Sequence, residues 1–244
     1  MSEIVKVEGI VLSKMDYRES SRIASVYTKE FGRISVLIKG ARLQKSLAGM
    51  KTDVFNHLQI VLYKKYNREL HLLTQAELIN HFPNIKTELD KLKYGGAVLE
   101  LIQALTVEEA NHRLFKGLVK IINLFESSDE HPGSLLIKFI LFLLKETGYG
   151  IQPGHCSDCQ GLIIEGDGML FSFERGIVCH ECGKNYAGEN LFPKELINLI
   201  HGLRRRKSSA VNNIKEIERI LCFLENYLRY HINEFKGIRS IHLY

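Results

Sequence analysis

The amino-acid sequence predicts an α+β protein, in which an N-terminal five-stranded β-barrel is followed by an α-helical domain interrupted by a four-cysteine insertion. Three observations lead to this fold class. Residues 4–75 are rich in β-branched residues and are broken by turn residues, a pattern typical of short strands. After residue 81, apolar residues recur at the spacing of helices. Between two of those helices, four cysteines stand as two C-x-x-C pairs.

The first 80 residues predict five strands in one small domain. The run "SRIASVYTKEFGRISVLIKG" predicts two strands around a turn, with Gly32 available for a positive φ. The run "HLQIVLYKKYNRELHLLTQ" predicts a hairpin that turns at Tyr66-Asn67-Arg68. Five strands in about 75 residues favour the Greek-key OB-fold, the oligonucleotide-binding barrel, although a small sandwich or an SH3-like barrel has the same pattern. We therefore expect an OB-fold domain at residues 1–80.

Residues 81–244 predict a helical domain. Three apolar patterns follow one another. The most apolar of them, Leu135–Leu144, is well short of the roughly 20 residues that a membrane span needs, so we interpret it as a buried helix. Helical patterns resume at "FPKELINLIHGLRRR" and "NNIKEIERILCFLENYLRYHINEF". The cysteines lie between the third and fourth helices, and we expect them to form an insertion at about residues 150–187.

Composition and the N-terminal sequence disfavour several protein classes. With 45% hydrophobic and 25% charged residues, the chain is typical of globular proteins and unlike disordered or fibrous ones. The N-terminal "MSEIVKVEGIVL" lacks the basic region, the apolar stretch and the cleavage site of a secretory signal. We therefore expect a cytoplasmic protein with reduced thiols and no membrane association. The fifth cysteine, Cys222, falls in the apolar stripe of the last helix and is expected to be buried.

The two cysteine pairs have the spacing C-x2-C-x19-C-x2-C, which is typical of a four-thiolate zinc site. Such a site is tetrahedral and closed, so it stabilises the fold and performs no chemistry. Gly161 and Gly183 would supply the permissive backbone that the two turns need. We therefore predict one structural Zn2+ per chain, held by Cys156, Cys159, Cys179 and Cys182.

Other interpretations of the cysteines are weaker. A redox dithiol normally stands beside a βαβ pattern, which is not predicted here. A catalytic zinc keeps an open position, and the nucleobase deaminases need H-x-E and P-C-x-x-C, which this segment lacks. His155 and His180 lie beside the cysteines, but four thiolates make them unnecessary as ligands. Between the pairs, alternation around Gly166-Asp167-Gly168 predicts a short hairpin.

The positive charge of the chain is concentrated in its first 80 residues, which hold 13 lysines and arginines against 8 acidic residues, whereas the other 164 residues hold 20 of each. Cations that share one face would neutralise phosphates along a nucleic-acid strand. A solvated loop that carries lysines fits the same pattern. The basic run "RRRK" at 204–207 closes a helix and is expected to be a solvated helix end. The candidate DNA contacts are Arg18, Arg22, Arg33, Lys39, Arg42 and Lys45.

Several of these segments together resemble the RecO family of bacterial DNA-repair proteins. The resemblance rests on "DYRESSRI", "FGRIS" and "KGAR" in the predicted barrel, and then on "CSDC" and "GIVCHEC", in the same order and spacing. It covers nearly the whole chain. It implies an OB-fold followed by a helical domain that carries a zinc-binding insertion.

The resemblance also implies a recombination mediator that is not an enzyme. Such proteins bind single- and double-stranded DNA, anneal complementary strands and, with RecR, help to load RecA onto DNA covered by single-strand-binding protein, whose C-terminal tail would dock between helices. The alternative is a zinc-ribbon and OB-fold adaptor that binds RNA or acts in transcription. A metal-dependent hydrolase is disfavoured, because the sequence has no ligand cluster with an open coordination position. Because they stand in the matching motifs, the resemblance implies that Arg18, Arg22, Lys39 and Arg42 contact DNA.

Overall fold

A computed structural model describes residues 2–65, 68–151, 154–163, 170–184, 190–191, 194–204 and 211–242. The predicted turn at Tyr66 and Asn67, the predicted hairpin at 166–168 and most of the basic run at 204–207 lie outside these residues. None of the described helices is both long enough and apolar enough to cross a membrane. By packing, the chain forms two compact units, Met1–Ser128 with Ile238–Tyr244, and Asp129–Gly237. The first unit includes helices from beyond residue 80, and the predicted domain boundaries stay a prediction.

Five strands of the first unit form a closed barrel in the order β1-β2-β3-β5-β4. Neighbouring strands are antiparallel except β3 and β5, which run parallel and pair from Ser35 with Leu70 to Leu37 with Leu72. This closed five-stranded arrangement confirms the predicted OB-fold. The strands are β1 (Ser2–Tyr17), β2 (Ser21–Thr28), β3 (Gly32–Ile38), β4 (His57–Lys65) and β5 (Leu70–Asn80).

Alternating side chains of the strands fill the barrel. On β3, for example, Ile34, Val36 and Ile38 are buried, while the residues between them are half-exposed. The β2–β3 turn contains Gly32 at φ +67°, as predicted, and a Cβ atom there would lie 2.2 Å from the Glu109 carbonyl oxygen. The other residues of this core are Val7, Val11, Ala24, Val26, Ala41, Leu58, Ile60 and Leu62.

Two helices in the described part of the first unit pack on the barrel: Leu47–Lys51 contacts the fifth strand, and Leu89–Leu105 contacts the first two strands. The first of them lies between β3 and β4 and begins at Ser46, whose side chain accepts a hydrogen bond from the Gly49 N–H group. A 3₁₀ turn at Arg239–Ile241 belongs to the same unit, because the Glu100 carboxylate accepts hydrogen bonds from the backbone N–H groups of Arg239 and Ser240 at 2.9 and 3.0 Å. The helices are α1 (Leu47–Lys51), α2 (Pro83–Thr87), α3 (Leu89–Leu105) and α4 (His112–Ser127).

The second unit consists of helices and a small three-stranded sheet beside the cysteines, with strand order β7-β6-β8. Phe171 of this sheet packs edge-on against Phe223, with the ring centroids 5.0 Å apart, and also contacts Tyr227. Aromatic packing therefore fastens the sheet to the last helix. The elements are α5 (Pro132–Glu146), β6 (Leu170–Ser172), β7 (Gly176–Val178), α6 (His180–Gly183), β8 (Asn190–Leu191), α7 (Lys194–Arg204) and α8 (Ile214–His231).

The prediction that Cys222 is buried is wrong, because its side chain is exposed. An α-helix turns by about 100° per residue, so Cys222 lies about 140° around the helix axis from the buried Ile217. Cys222 is therefore on the face of α8 away from the buried stripe. The stripe of α8 includes Ile217, Ile220, Leu221, Leu224 and Leu228.

Candidate nucleic-acid interface and metal centre

The four cysteines predicted as ligands come together in the second unit. Their sulfur atoms all lie within 4.8 Å of one another. The Cys159 and Cys179 sulfurs, one from each pair, are 3.9 Å apart, close to the roughly 3.8 Å edge of a tetrahedron whose centre lies about 2.3 Å from each sulfur. Four thiolates at this spacing fit one tetrahedrally coordinated metal ion with every position filled. His155 and His180 are exposed and do not belong to the cluster.

Backbone N–H groups organise the sulfur atoms. Burial acts to raise the pKa of the Cys156 thiol, but the N–H groups of Cys159, Cys179 and Asp158 outweigh it and lower that pKa to about 6. Hydrogen bonding with the sulfurs of Cys179 and Cys159 raises the pKa of Cys182 to about 12. Cys156 therefore loses its proton readily, whereas Cys182 keeps its proton. A cation removes this conflict, because metal binding displaces the remaining protons.

The tight turns of this centre are built differently from the prediction. In the first pair, the residue in the left-handed region is Gln160 at φ +58°, so the role predicted for Gly161 is wrong. Gly183 does not adopt a positive φ, and its missing side chain leaves room for Leu170 instead, since a Cβ atom at position 183 would lie 2.1 Å from Leu170 Cδ1. The second C-x-x-C pair can thus lie directly against strand β6.

Two of the predicted basic residues share one carboxylate at the β1–β2 end of the barrel. Arg22 Nε lies 2.9 Å from Asp16 Oδ1, and Arg42 Nε lies 3.2 Å from Asp16 Oδ2. Arg42 also donates to the carbonyl oxygen of Arg18, which adopts φ +53° and stacks over Tyr17. The hydrogen bond from Arg22 lowers the pKa of Asp16, so this carboxylate stays ionised at neutral pH. Three predicted arginines are therefore held at one end of the barrel.

A groove of about 370 Å³, here called the first groove, continues this surface. Asp53 forms ion pairs with Lys14 and with Lys86, the latter at 3.0 Å. Burial opposes ionisation of Asp53, but the hydrogen bonds from Lys14 and Lys86 outweigh it and lower its pKa. Among the described residues, no ion pair or hydrogen bond engages the exposed side chain of Lys45. The first groove is lined by Lys14, Arg22, Leu43, Lys45, Met50 and Asp53.

A second groove, of about 420 Å³, lies where β3 ends and β5 continues. Its walls include Lys39, Leu47, Lys51 and residues 73–77 of β5. Lys51 donates to the Ala76 carbonyl oxygen at 3.0 Å. Within the described part of the chain, the exposed ammonium of Lys39 has no hydrogen bond or ion pair. Lys39 and Lys45 are thus two cations that a phosphate group can approach without displacing a protein partner.

Arg33 does not lie with the other basic residues. It stands at the start of β3, whereas Lys39 follows the end of that strand, roughly 20 Å away at about 3.3 Å per residue. Its Nε donates to the Thr106 carbonyl oxygen at 2.8 Å, and its backbone N–H group donates to Val107 at 3.0 Å. The side chain therefore ties β3 to the segment that follows α3.

The sequence prediction did not include the acidic residues of the candidate interface. Asp16 and Asp53 are isolated carboxylates in basic surroundings, and nothing in their spacing separates them from ordinary surface residues. Lys86 was also missed, because it stands on α2, beyond the basic N-terminal segment. Only the fold brings Lys86 next to Asp53.

Comparison with known proteins gives the same family for both parts of the chain. Residues 1–82 match the family model described as recombination protein O N terminal, and residues 86–237 match recombination protein O C terminal. The chain is 31% identical to the DNA repair protein RecO of Alkaliphilus metalliredigens over 73% of its own length and 72% of that protein. It is 28% identical to the RecO protein of Chlorobium phaeobacteroides, over 94% and 93% of the two chains.

Proposed function

We propose a function for this chain on the basis of its family. The chain belongs to the recombination protein O family. Members of the family act in DNA repair and recombination, and this chain does the same. Its specific role, we propose, is to bind single- and double-stranded DNA, to anneal complementary strands and, with RecR, to promote RecA loading on DNA covered by single-strand-binding protein. It acts in the cytoplasm as a binding protein and not as an enzyme.

The observation that carries this proposal is the clustering of cations at one end of the barrel. Lys39 and Lys45 have no protein partner among the described residues, and Arg22 and Arg42 are held side by side on Asp16. Such a surface binds phosphates and releases their counterions. Arg33 would be reached only by a strand that runs the length of β3. The proposed DNA contacts are Arg18, Arg22, Arg33, Lys39, Arg42 and Lys45.

Phosphate binding of this kind explains annealing without any covalent step. Two complementary strands repel each other, so a surface that screens the phosphates of one strand lowers the barrier to pairing. Because Asp16 and Asp53 hold the arginines and lysines in place before DNA arrives, less side-chain entropy is lost on binding. The acidic C-terminal tail of single-strand-binding protein would dock on the helices, which leaves the barrel free for DNA.

The metal that we propose for the cysteine cluster is one Zn2+. Four soft thiolates in a tetrahedral arrangement select zinc or an iron centre, and a closed four-cysteine set is the ordinary structural zinc site. Cys156, Cys159, Cys179 and Cys182 would hold it. The ion would stabilise the cysteine segment without taking part in DNA binding.

Strand annealing tests the proposed function. Two complementary oligonucleotides, each coated with single-strand-binding protein, are mixed with the protein, and duplex formation is followed by fluorescence transfer. We expect acceleration by the natural protein and little by the double variant Arg22→Gln/Arg42→Gln. The salt dependence of single-strand affinity, plotted as log K against log salt, becomes shallower by roughly 1.4 in the double variant, because each lost phosphate contact removes about 0.7.

The matched control is Lys116→Gln/Lys120→Gln, which removes the same charge from exposed positions on α4. This variant keeps both the annealing rate and the salt slope if the barrel surface is the site. Equal losses in the two double variants would reduce the effect to net charge alone. Binding of RNA without faster DNA annealing would support the adaptor interpretation instead.

A further inference from the structure

Three large apolar side chains stand exposed on the loop of residues 41–52, here called the apolar-basic loop. Leu43 is 61% exposed, Leu47 is 68% exposed and Met50 is 60% exposed. A single exposed leucine is ordinary on a protein surface. Three within eight positions, interleaved with lysines and an arginine, form a patch of a kind that marks a binding surface.

The loop is held in this conformation by its own backbone. The Leu43 N–H group donates to the Gly40 carbonyl oxygen at 3.1 Å, and Ser46 donates to Leu43 at 3.0 Å. α1 packs so closely on the preceding chain that a Cβ atom at Gly49 would lie 2.1 Å from the Ala41 carbonyl oxygen. The apolar side chains are therefore presented on a fixed support, which lowers the entropy cost of binding through them.

Each groove combines apolar and cationic groups. Leu43 and Met50 line the first groove together with Lys14, Arg22 and Lys45. In the second groove, Leu47 lines the wall together with Lys39 and Lys51. A partner that fills both grooves must offer negative charge to the cations and apolar surface to the two leucines and the methionine.

We propose that Leu43, Leu47 and Met50 pack against the bases of single-stranded DNA whose phosphates the neighbouring cations hold. This inference rests on the proposed function, because it assigns bases to a surface already proposed to bind phosphates. A single strand offers unstacked bases beside its phosphates, whereas a duplex keeps its bases stacked. Pairing with the same surface of a second copy would bring cations against cations, which is unfavourable.

Contact with bases has a consequence that phosphate contact lacks. The apolar contribution to affinity does not depend on counterion release, so it persists at high salt. It also favours single strands over duplexes. The protein would thus hold a strand with its bases partly separated.

Binding of two oligomers with equal phosphate number tests this inference. One is a 30-residue oligothymidylate, and the other is a 30-residue abasic chain without bases. Fluorescence anisotropy is measured across a range of salt concentrations. The natural protein should prefer the oligothymidylate, and Leu43→Ala/Leu47→Ala/Met50→Ala should lose roughly tenfold in affinity for it, given the apolar area that the three side chains would bury. Affinity for the abasic chain and both salt slopes should stay unchanged.

The matched control is Ile4→Ala/Leu78→Ala, at positions 71% and 44% exposed on the same barrel, which should keep the preference for bases. If the natural protein binds neither oligomer, the proposed function itself fails. If it binds both equally, or if the triple variant keeps the preference, DNA binding stands and the base contact is overturned. The single variants Leu43→Ala and Met50→Ala provide the same comparison should the triple variant fold poorly.

Sedimentation of the natural protein and the triple variant tests whether the three apolar side chains instead bind a second copy of the chain. The base contact predicts the same oligomeric state for both proteins. A change of oligomeric state without loss of the preference for oligothymidylate would assign the patch to a second copy of the chain, and would overturn the inference.

Discussion

The barrel closes around aliphatic side chains from its five strands, including Val11, Ile34 and Leu62, whereas the cysteine segment has few buried side chains of its own. In the described part of residues 154–184, the buried apolar groups are Cys156, Phe171, Ile177 and Val178. Burial is the main stabilising contribution in the first region, and the ion proposed for the second would offset its conformational entropy. A surface can therefore carry unpaired cations when the core beneath it is sufficient, and a region without such a core depends on coordination.

Removal of the metal should separate the two regions most strongly. We expect Cys159→Ser/Cys179→Ser to lose the ion, whose binding contributes on the order of 10 kcal/mol to the stability of such a segment. Amide hydrogen exchange at residues 170–184 should become fast, while the barrel strands keep their protection. Metal content and exchange are measured together by mass spectrometry.

Cys222→Ser is the control for that experiment, because this exposed thiol lies outside the cluster. It should change neither metal content nor exchange. Loss of protection in the barrel of the double variant would show that the two regions are not independent in stability.

A core truncation in the barrel should have the next largest effect. Leu62 is fully buried in the barrel core, so Leu62→Ala should cost roughly 3 to 4 kcal/mol through lost burial and the cavity left behind. The measurement is urea unfolding followed by hydrogen exchange of barrel peptides. Leu78→Ala, on the exposed side of β5, should cost far less. Equal costs at the two positions would contradict a barrel stabilised by its core.

The smallest expected effect concerns pH. Burial lowers the pKa of His57 below 6.5, against the hydrogen bond that joins its Nε2 to Glu8 Oε1 at 2.9 Å. The folded barrel therefore favours the neutral imidazole. This contribution to stability is present above pH 6.5 and is lost as the pH falls from 6.5 through the lower pKa of the folded state.

Unfolding of the natural protein and of His57→Gln at pH 7.5 and pH 5.5 measures that contribution. The natural protein should lose more stability than the variant over this interval. A larger loss in the variant would reverse the sign assigned to His57.

Local signals in the sequence were enough for the elements and for the clustering of the four cysteines. The β-branched runs predict the strands, and the C-x2-C pairs predict the sulfur cluster, because both depend on residues close in sequence. The positions that escaped prediction depend on distant partners or on helix phase. Arg33 is bonded to Thr106, 73 residues away, and no local pattern contains that information. Cys222 is a different case, because the helical period alone puts it about 140° from the buried Ile217, and the prediction assigned it to the wrong face of α8.

The bonds between Glu100 and the turn at Arg239–Ile241 set an order of events during synthesis. Glu100 leaves the ribosome long before Ser240, its partner 140 residues later. At about 5 to 20 residues per second, that interval lasts roughly 7 to 28 s. During this interval residues 129–237 are translated, and the contact between Glu100 of α3 and the turn at Arg239–Ile241 cannot yet form. The unit that contains the barrel is therefore completed only after residues 129–237 have been translated.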